Sequence, residues 1–289
     1  MQGWIVVNGF LMTHKFSELT DFFMRAAKEQ KIRLSVVKNS DCFMGMFENK
    51  NLEKPDFVLF WDKDLLLAKY LESEKIPVFN SSTGIEICDD KRMTALRLNQ
   101  EKIAQPLTIP APMTYGNIGF SHLDFLQQIE KNISFPMVVK EAYGSFGQQV
   151  YLVKNHEELV KRTKKLEKVP FLYQQYIAES KGRDLRLQVV GDQVVAAMER
   201  SSDHDFRANL SNGGKMTACK PEREAVDLAI QACKAVKCDF AGVDLLYGPR
   251  GYLVCEVNSN AHFKNLWECT GIDTAWHILQ YIRKKVEET

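Results

Sequence analysis

The stretch GVDLLYGPRGYLVCEVNSN, residues 242–260, has the pattern of a β-hairpin, yet it places Asp244, Glu256 and Asn258 inside runs of Val, Leu, Tyr and Cys. The two apolar arms have strand length and strand composition, with Gly248-Pro249-Arg250-Gly251 between them as turn residues. Pro249 suits the second position of a type I turn, and Gly251 suits the left-handed residue that follows such a turn. A three-residue loop would pair Gly248 with Tyr252 and set Asp244 opposite Glu256. Asn258 would then lie on the same face, two residues further on. A slip of one residue would put Asp244 and Glu256 on opposite faces. Two adjacent carboxylates repel unless they share a proton or a cation. An all-oxygen set suits Mg²⁺ or Mn²⁺ rather than zinc. The alternative is an ordinary solvated hairpin face.

Working outward, Lys140-Glu-Ala-Tyr-Gly-Ser-Phe-Gly147 puts a lysine at the end of an apolar strand, ahead of a loop with two glycines. Such a loop lets backbone N–H groups approach phosphate oxygens, and the lysine adds a point charge. The spacing matches neither a Walker A loop nor G-x-G-x-x-G, and a Gly-rich hairpin tip is the competing explanation. Asp184 and Arg186 alternate on one face of a strand, either as site residues or as a surface ion ladder. Arg200, Arg207 and Asn209 lie at a strand end and in the loop after it, where arginines suit carboxylate or phosphate recognition. The order is lysine, glycine hairpin, Asp/Arg strand, arginine loop, acidic hairpin. It contains no evident nucleophile–base dyad and suits phosphoryl transfer, which depends on positioning and charge neutralisation.

The totals set bounds. A chain of 289 residues fits two or three domains, and its 45% hydrophobic and 26% charged residues are those of a globular protein. A net charge of +1 gives no reason to expect nucleic acid or an anionic membrane as partner. Seven cysteines with no C-x-x-C pair argue for reduced thiols, a cytoplasmic setting and no zinc site. The opening MQGWIVVNGF has no basic region and only a short apolar run, which fits neither a signal peptide nor a membrane span. Over the first 90 residues strands and helices alternate: WIVVNG, helix 17–30, IRLSVV, DFVLFW, helix 63–74, IPVFN. That is the pattern of a parallel α/β unit. A helix capped by Asp89 or Asp90 should run from Lys91 to about Ile103. The later part, apart from helices near 121–131, 156–166, 221–236 and 273–287, should be mainly antiparallel strand. Trp4, Phe60, Trp61 and Trp267 are expected to pack in cores or at their edges.

CDDK, VVK ahead of GSFGQQV, YQQYI, GRDLRLQVVGDQVVAAMERS, DFRANLSNGG, AGVDLL and EVNSN occur in an order that resembles the ATP-grasp superfamily, and in particular its RimK-like glutamate-ligase branch. The resemblance is close over about residues 80–289 and only in outline before them. It implies an ATP-grasp fold: an N-terminal parallel α/β domain (1–88), then two α+β subdomains (89–172 and 173–289) clasping ATP. It further implies an ATP-dependent carboxylate–amine ligase working through an acyl phosphate, with an amino acid, peptide or protein tail as substrate. Lys91 and Lys140 would bind phosphates, and Gly144, Ser145, Phe146 and Gly147 would cover them. Gln175 and Tyr176 would line the adenine, and Asp184 would meet the ribose. Arg207, with Arg186 nearby, would stabilise the transferring group. Asp244, Glu256 and Asn258 would hold Mg²⁺, two ions in the usual arrangement. An ATP-binding protein without ligase activity is the other reading, and a homo-oligomer stays open. The chain departs from the family at Ser259-Asn260-Ala261-His262-Phe263, where relatives continue Ala-Ser/Thr-Pro-Gly, and at Gln175, where glutamate is frequent. His262 would either handle the amine or be a structural loop residue.

Overall fold

A computed structural model describes residues 1–11, 14–48, 52–145, 147–208 and 214–288. Two expected residues, Phe146 and Asn209, lie outside them. Among the described residues the strands form three sheets.

The first is parallel, in the order β2 (Arg33–Lys38), β1 (Gln2–Val7), β3 (Phe57–Phe60), β4 (Val78–Phe79). Side chains alternate across it. Ile5, Phe57 and Leu59 face helix α1 (His14–Glu29), while Trp4, Val6, Val58 and Phe60 face α2 (Leu65–Ser73). The expected strand–helix alternation is observed here. Trp4, Phe60 and Trp61 are buried, and Trp267 is edge packing against Phe22.

The chain then continues through α3 (Ser82–Asp89), a helix not among the expected elements, into α4 (Lys91–Gln100). Ser81 caps α3 by accepting from Gly84 N, and Asp90 caps α4 by accepting from Arg92 N at 2.8 Å. Helix α4 ends before the expected Ile103. Lys102 turns left-handed (φ 56°), and Ile103 N bonds back to Leu98 O.

The second sheet is antiparallel, in the order β5 (Thr108–Pro110), β8 (Phe171–Gln175), β6 (Met137–Glu141), β7 (Val150–Val153). The proline-bearing β5 takes the edge, where a missing N–H costs nothing. Helices α5 (Leu126–Asn132) and α6 (His156–Leu166) cover one face around Tyr173 and Phe171.

The third sheet is also antiparallel, in the order β11 (Lys215–Ala218), β10 (Gln193–Ser201), β9 (Arg183–Val190), β12 (Phe240–Gly248), β13 (Gly251–Asn258). Leu185, Leu187, Val189, Ala241, Val243 and Leu245 point to α7 (Arg223–Ala235) and form one core. The opposite face carries Asp184, Arg186, Gly242 and Asp244. The chain returns through α8 (Lys264–Thr270) to α9 (Thr274–Glu287), whose Ala275, Ile278, Leu279 and Ile282 share a core with Leu19, Phe22 and Phe23 of α1.

Asn80, fully buried, joins the first sheet to the third. Its amide donates to Phe240 O (2.9 Å) and Ser259 O (3.0 Å) and accepts from Asp239 N (2.7 Å) and Phe240 N (3.1 Å). One side chain thus fixes the start of β12 and the exit from β13. Asn80→Ala leaves buried donors and acceptors unpaired at about 1–3 kcal/mol each. We expect a loss of at least about 3 kcal/mol in urea unfolding, whereas Lys215→Ala, which breaks an exposed ion pair with Asp203, should change stability by less than about 1 kcal/mol.

Candidate active site

The hairpin register differs from the expected one at the turn and agrees with it at the carboxylates. The loop is Pro249-Arg250, with Gly248 paired to Gly251 and Tyr247 to Tyr252, not Gly248 to Tyr252. A ladder continued from that turn would set Asp244 opposite Cys255. Instead the register shifts between Asp244 and Leu245: Leu245 pairs with Val254 and Asp244 with Glu256, leaving Cys255 as the extra residue. A β-bulge of this kind re-aims the side chains beyond it, and this one brings Glu256 across from Asp244.

The registers of β9, β10 and β12 place charges side by side. Asp244 pairs with Arg186, and Arg200 with Asp184. Arg186 grips Asp244 with Nε on Oδ1 and Nη2 on Oδ2 (2.8 Å). Arg200 holds both oxygens of Asp184 at 2.7 Å and reaches Asp244 Oδ1 at 3.0 Å. All four groups are nearly buried. Burial alone would raise the Asp244 carboxyl, but Arg186 and Arg200 outweigh it and hold Asp244 below the usual carboxylate range. Asp184 is pushed upward by burial and by the Asp244 charge, against the pull of Arg200. Burial would likewise lower Arg200, yet Asp244 and Asp184 raise it above its ordinary value.

This face is the floor of a cleft between the second and third sheets. Lys91, Lys140, Gly144, Ser145, Gly147, Gln175, Tyr176, Asp184, Arg207, Asp244 and Glu256 all line it. Arg186 does not line it and lies behind Asp244. Asn258 ends β13 without lining it, and its amide has no hydrogen-bond partner among the described residues.

Lys91, the first residue of α4, sends Nζ to Gly144 O at 2.8 Å and lies 3.9 Å from Glu256 Oε1. Burial draws its pKa below the ordinary lysine value, and Glu256 opposes that. Lys140 is buried on the inner face of β6, with Nζ 3.7 Å from Cys255 Sγ. Burial raises the Cys255 thiol, against the nearby Lys140. Gly144 and Gly147 both have positive φ (128° and 71°), conformations that need glycine. Arg207 is bound to Asp205 by Nη2 (2.7 Å) and Nε (3.0 Å), and its Nη1 donates to Gly147 O. The side-chain hydrogen bond to Asp205 raises the Arg207 pKa. Two cations therefore hold the glycine loop at its two ends through its carbonyl oxygens.

Some residues of the cleft were not singled out from the sequence. Gln174, not Gln175, is the buried amide of β8; it pairs with Val138 and donates to Thr108 Oγ1 at 2.8 Å. Gln175 is exposed and turns its Oε1 to Leu107 N. Strand alternation from Lys140 through the β6–β8 register would have identified Gln174. Arg183 and Leu246 also line the cleft, and Arg183 lies 4.0 Å over the Tyr247 ring. Nothing in the local sequence around them signals this.

The RimK-like ATP-grasp domain model matches residues 88–282. The chain belongs to this family. A probable alpha-L-glutamate ligase of Mannheimia succiniciproducens is 32% identical over 222 residues, 75% of this chain and 71% of that one. Beta-citrylglutamate synthase B of Mus musculus is 32% identical over 225 residues, 76% of this chain and 56% of that one. Among solved structures, D-alanine–D-alanine ligase from Bacillus anthracis complexed with ATP superposes with a TM-score of 0.74 at 19% identity. That match covers 100% of this chain and 98% of the other, a likeness of fold. The RimK-like protein is thus an ATP-dependent carboxylate–amine ligase with the ATP-grasp fold, acting on an amino acid or peptide. The reading without ligase activity is not favoured. Among the described residues no helix is long and apolar enough to cross a membrane.

Gly242 lets the floor of this RimK-like cleft close. A Cβ there would lie 2.4 Å from Ala261 Cβ and 2.9 Å from Arg186 Nη1. Gly242→Ala should destabilise by about 1–3 kcal/mol through overpacking and weaken binding of an ATP analogue by displacing Arg186. Gly116→Ala, whose Cβ meets nothing within 4 Å, is the control. Denaturation and nucleotide titration of both variants check this.

Proposed function

We propose that this ligase activates a carboxylate as an acyl phosphate and joins it to the amine of an amino acid, with a small acid, a peptide or a protein tail as the other substrate, in the cytoplasm. The observation that carries the reading is the convergence of Lys91, Lys140, the glycine loop, Arg207, Asp244 and Glu256 on one cleft. Both curated relatives quoted above have glutamate in their names, and glutamate is the first amino acid to try.

The donor set fits Mg²⁺ or Mn²⁺. Asp244 and Glu256 are paired across the hairpin, Glu256 keeps 30% of its side chain exposed with Lys91 3.9 Å away, and the Asn258 amide oxygen follows two residues on. Asp244, Glu256 and Asn258 would hold the metal, two ions in the family arrangement. A bound divalent ion supplies neutralising charge to the phosphate oxygens. The remaining work falls to the chain. Lys91 and Lys140 bind phosphate oxygens as point charges. The loop Gly144–Gly147 covers them with backbone N–H groups and excludes water. Tyr176 and Gln174 line the base, and Asp184 orients Arg200 against the ribose side. Arg207, within reach of the loop, stabilises charge on the transferring phosphoryl group, and Arg186 keeps Asp244 ionised and aimed.

Two variants test the assignment. Glu256→Gln keeps volume and removes a metal charge, so ADP release with ATP, Mg²⁺ and an amino-acid panel should fall at least about a hundredfold with an unchanged melting temperature. Near-parental turnover would count against the metal site. Arg207→Ala should lower turnover far more than ATP affinity, read as kcat against the Kd of an ATP analogue. A collapse in affinity with kcat unchanged would give Arg207 a binding role instead.

A further inference from the structure

Asp62 lies just past the carboxyl end of β3, where open parallel sheets bind ligands, and is only 7% exposed. Its carboxylate has two polar neighbours: Asn8 Nδ2, 3.3 Å from each oxygen, and Lys63 N, 2.8 Å from Oδ1. Among the described residues no cation pairs with it. The neighbouring Lys63 turns its ammonium to Asp89. Asn8 cannot be reversed, because its Oδ1 accepts from Phe10 N at 3.0 Å.

The segment leaving the metal hairpin reaches the same residue. Asn260 Nδ2 donates to Asp62 O at 2.9 Å, while Asn260 Oδ1 is buried with no partner. This amide cannot be reversed either, since a main-chain carbonyl only accepts. The spot therefore holds an excess of acceptors: a buried carboxylate without a cation and an amide oxygen without a donor. Buried groups of this kind are normally paired. A water would satisfy the amide oxygen but would leave the carboxylate charge uncompensated. No group of three His, Cys, Asp or Glu able to hold a metal occurs among the described residues. The missing group is a donor with positive charge. Asn260 is two residues past Asn258, the last residue of the hairpin, within roughly 7 Å of chain.

We propose that Asp62 and Asn260, with Asn8 orienting the carboxylate, form the subsite that takes the ammonium group of a free amino-acid substrate. This rests on the ligase reading given above.

The test uses the full chain with Mg²⁺ and the ATP analogue AMP-PNP. Thermal shift and calorimetry are run with the twenty L-amino acids and with the des-amino acid of each binder (glutarate for L-glutamate). At least one amino acid should raise the melting temperature, and its des-amino counterpart should bind at least tenfold more weakly. Asp62→Asn and Asn260→Leu should each weaken the amino acid at least tenfold and change AMP-PNP affinity less than twofold. Asp62→Asn should melt no lower than the parent without ligand, because it removes an unpaired buried charge. The subsite is overturned if no amino acid binds, if the des-amino acid binds as well, or if Asp62→Asn binds the amino acid like the parent. It is also overturned if Asp62→Asn melts lower and loses both ligands together. ADP release by the parent judges the ligase reading separately. ADP release by the parent with an amino acid that Asp62→Asn binds like the parent sinks the subsite alone, and amino-acid binding without any ADP release sinks the ligase reading alone.

Discussion

A single buried carboxylate, Asp244, is gripped by Arg186 and touched by Arg200. Stripped of those guanidinium groups it would protonate rather than stay charged so far from water. With them it remains an anion with a set direction, and the surrounding residues are spaced to keep it so. Asp184 aligns Arg200, Gly242 leaves room for Arg186, and the cross-strand registers of β9, β10 and β12 put opposite charges on neighbouring rungs. The apolar side of the same strands packs on α7, which keeps those registers from slipping.

Above that floor the cations have partners already. Lys91 and Arg207 bond to carbonyl oxygens at the two ends of the glycine loop. In the proposed function both oxygens stand where phosphate oxygens would bind. A triphosphate bound as proposed would exchange one set of acceptors for another rather than fill bare charges, which lowers the net gain on binding.

Much of the fold was legible from the sequence because it rests on short-range rules: strand–helix alternation before residue 80 and aspartate at a helix start. The Asp244–Glu256 pairing was legible too, but through a different device from the one inferred. Turn chemistry alone placed the extra residue in the loop, whereas the chain carries it at Cys255, because a bulge depends on the neighbouring strands rather than on the turn. Asp62 and Asn260 are 198 positions apart, and neither has a local signal; only the tertiary structure brings them together. Gln174 was readable from alternation and passed over in favour of its neighbour. The capture of Asp184 by Arg200 required a strand register that spacing does not give.

Helix α9 lies against α1, with Asp273 and Arg25 bonded across 248 positions of chain. During synthesis the first sheet and α1 emerge before α9, so the part of Leu19, Phe22 and Phe23 that packs on Ala275, Ile278, Leu279 and Ile282 is uncovered. At about 5–20 residues per second the helix that covers them arrives roughly 10–40 seconds after the first sheet is complete. The opening layer is therefore an apolar surface waiting for its lid while the later layers are still being made.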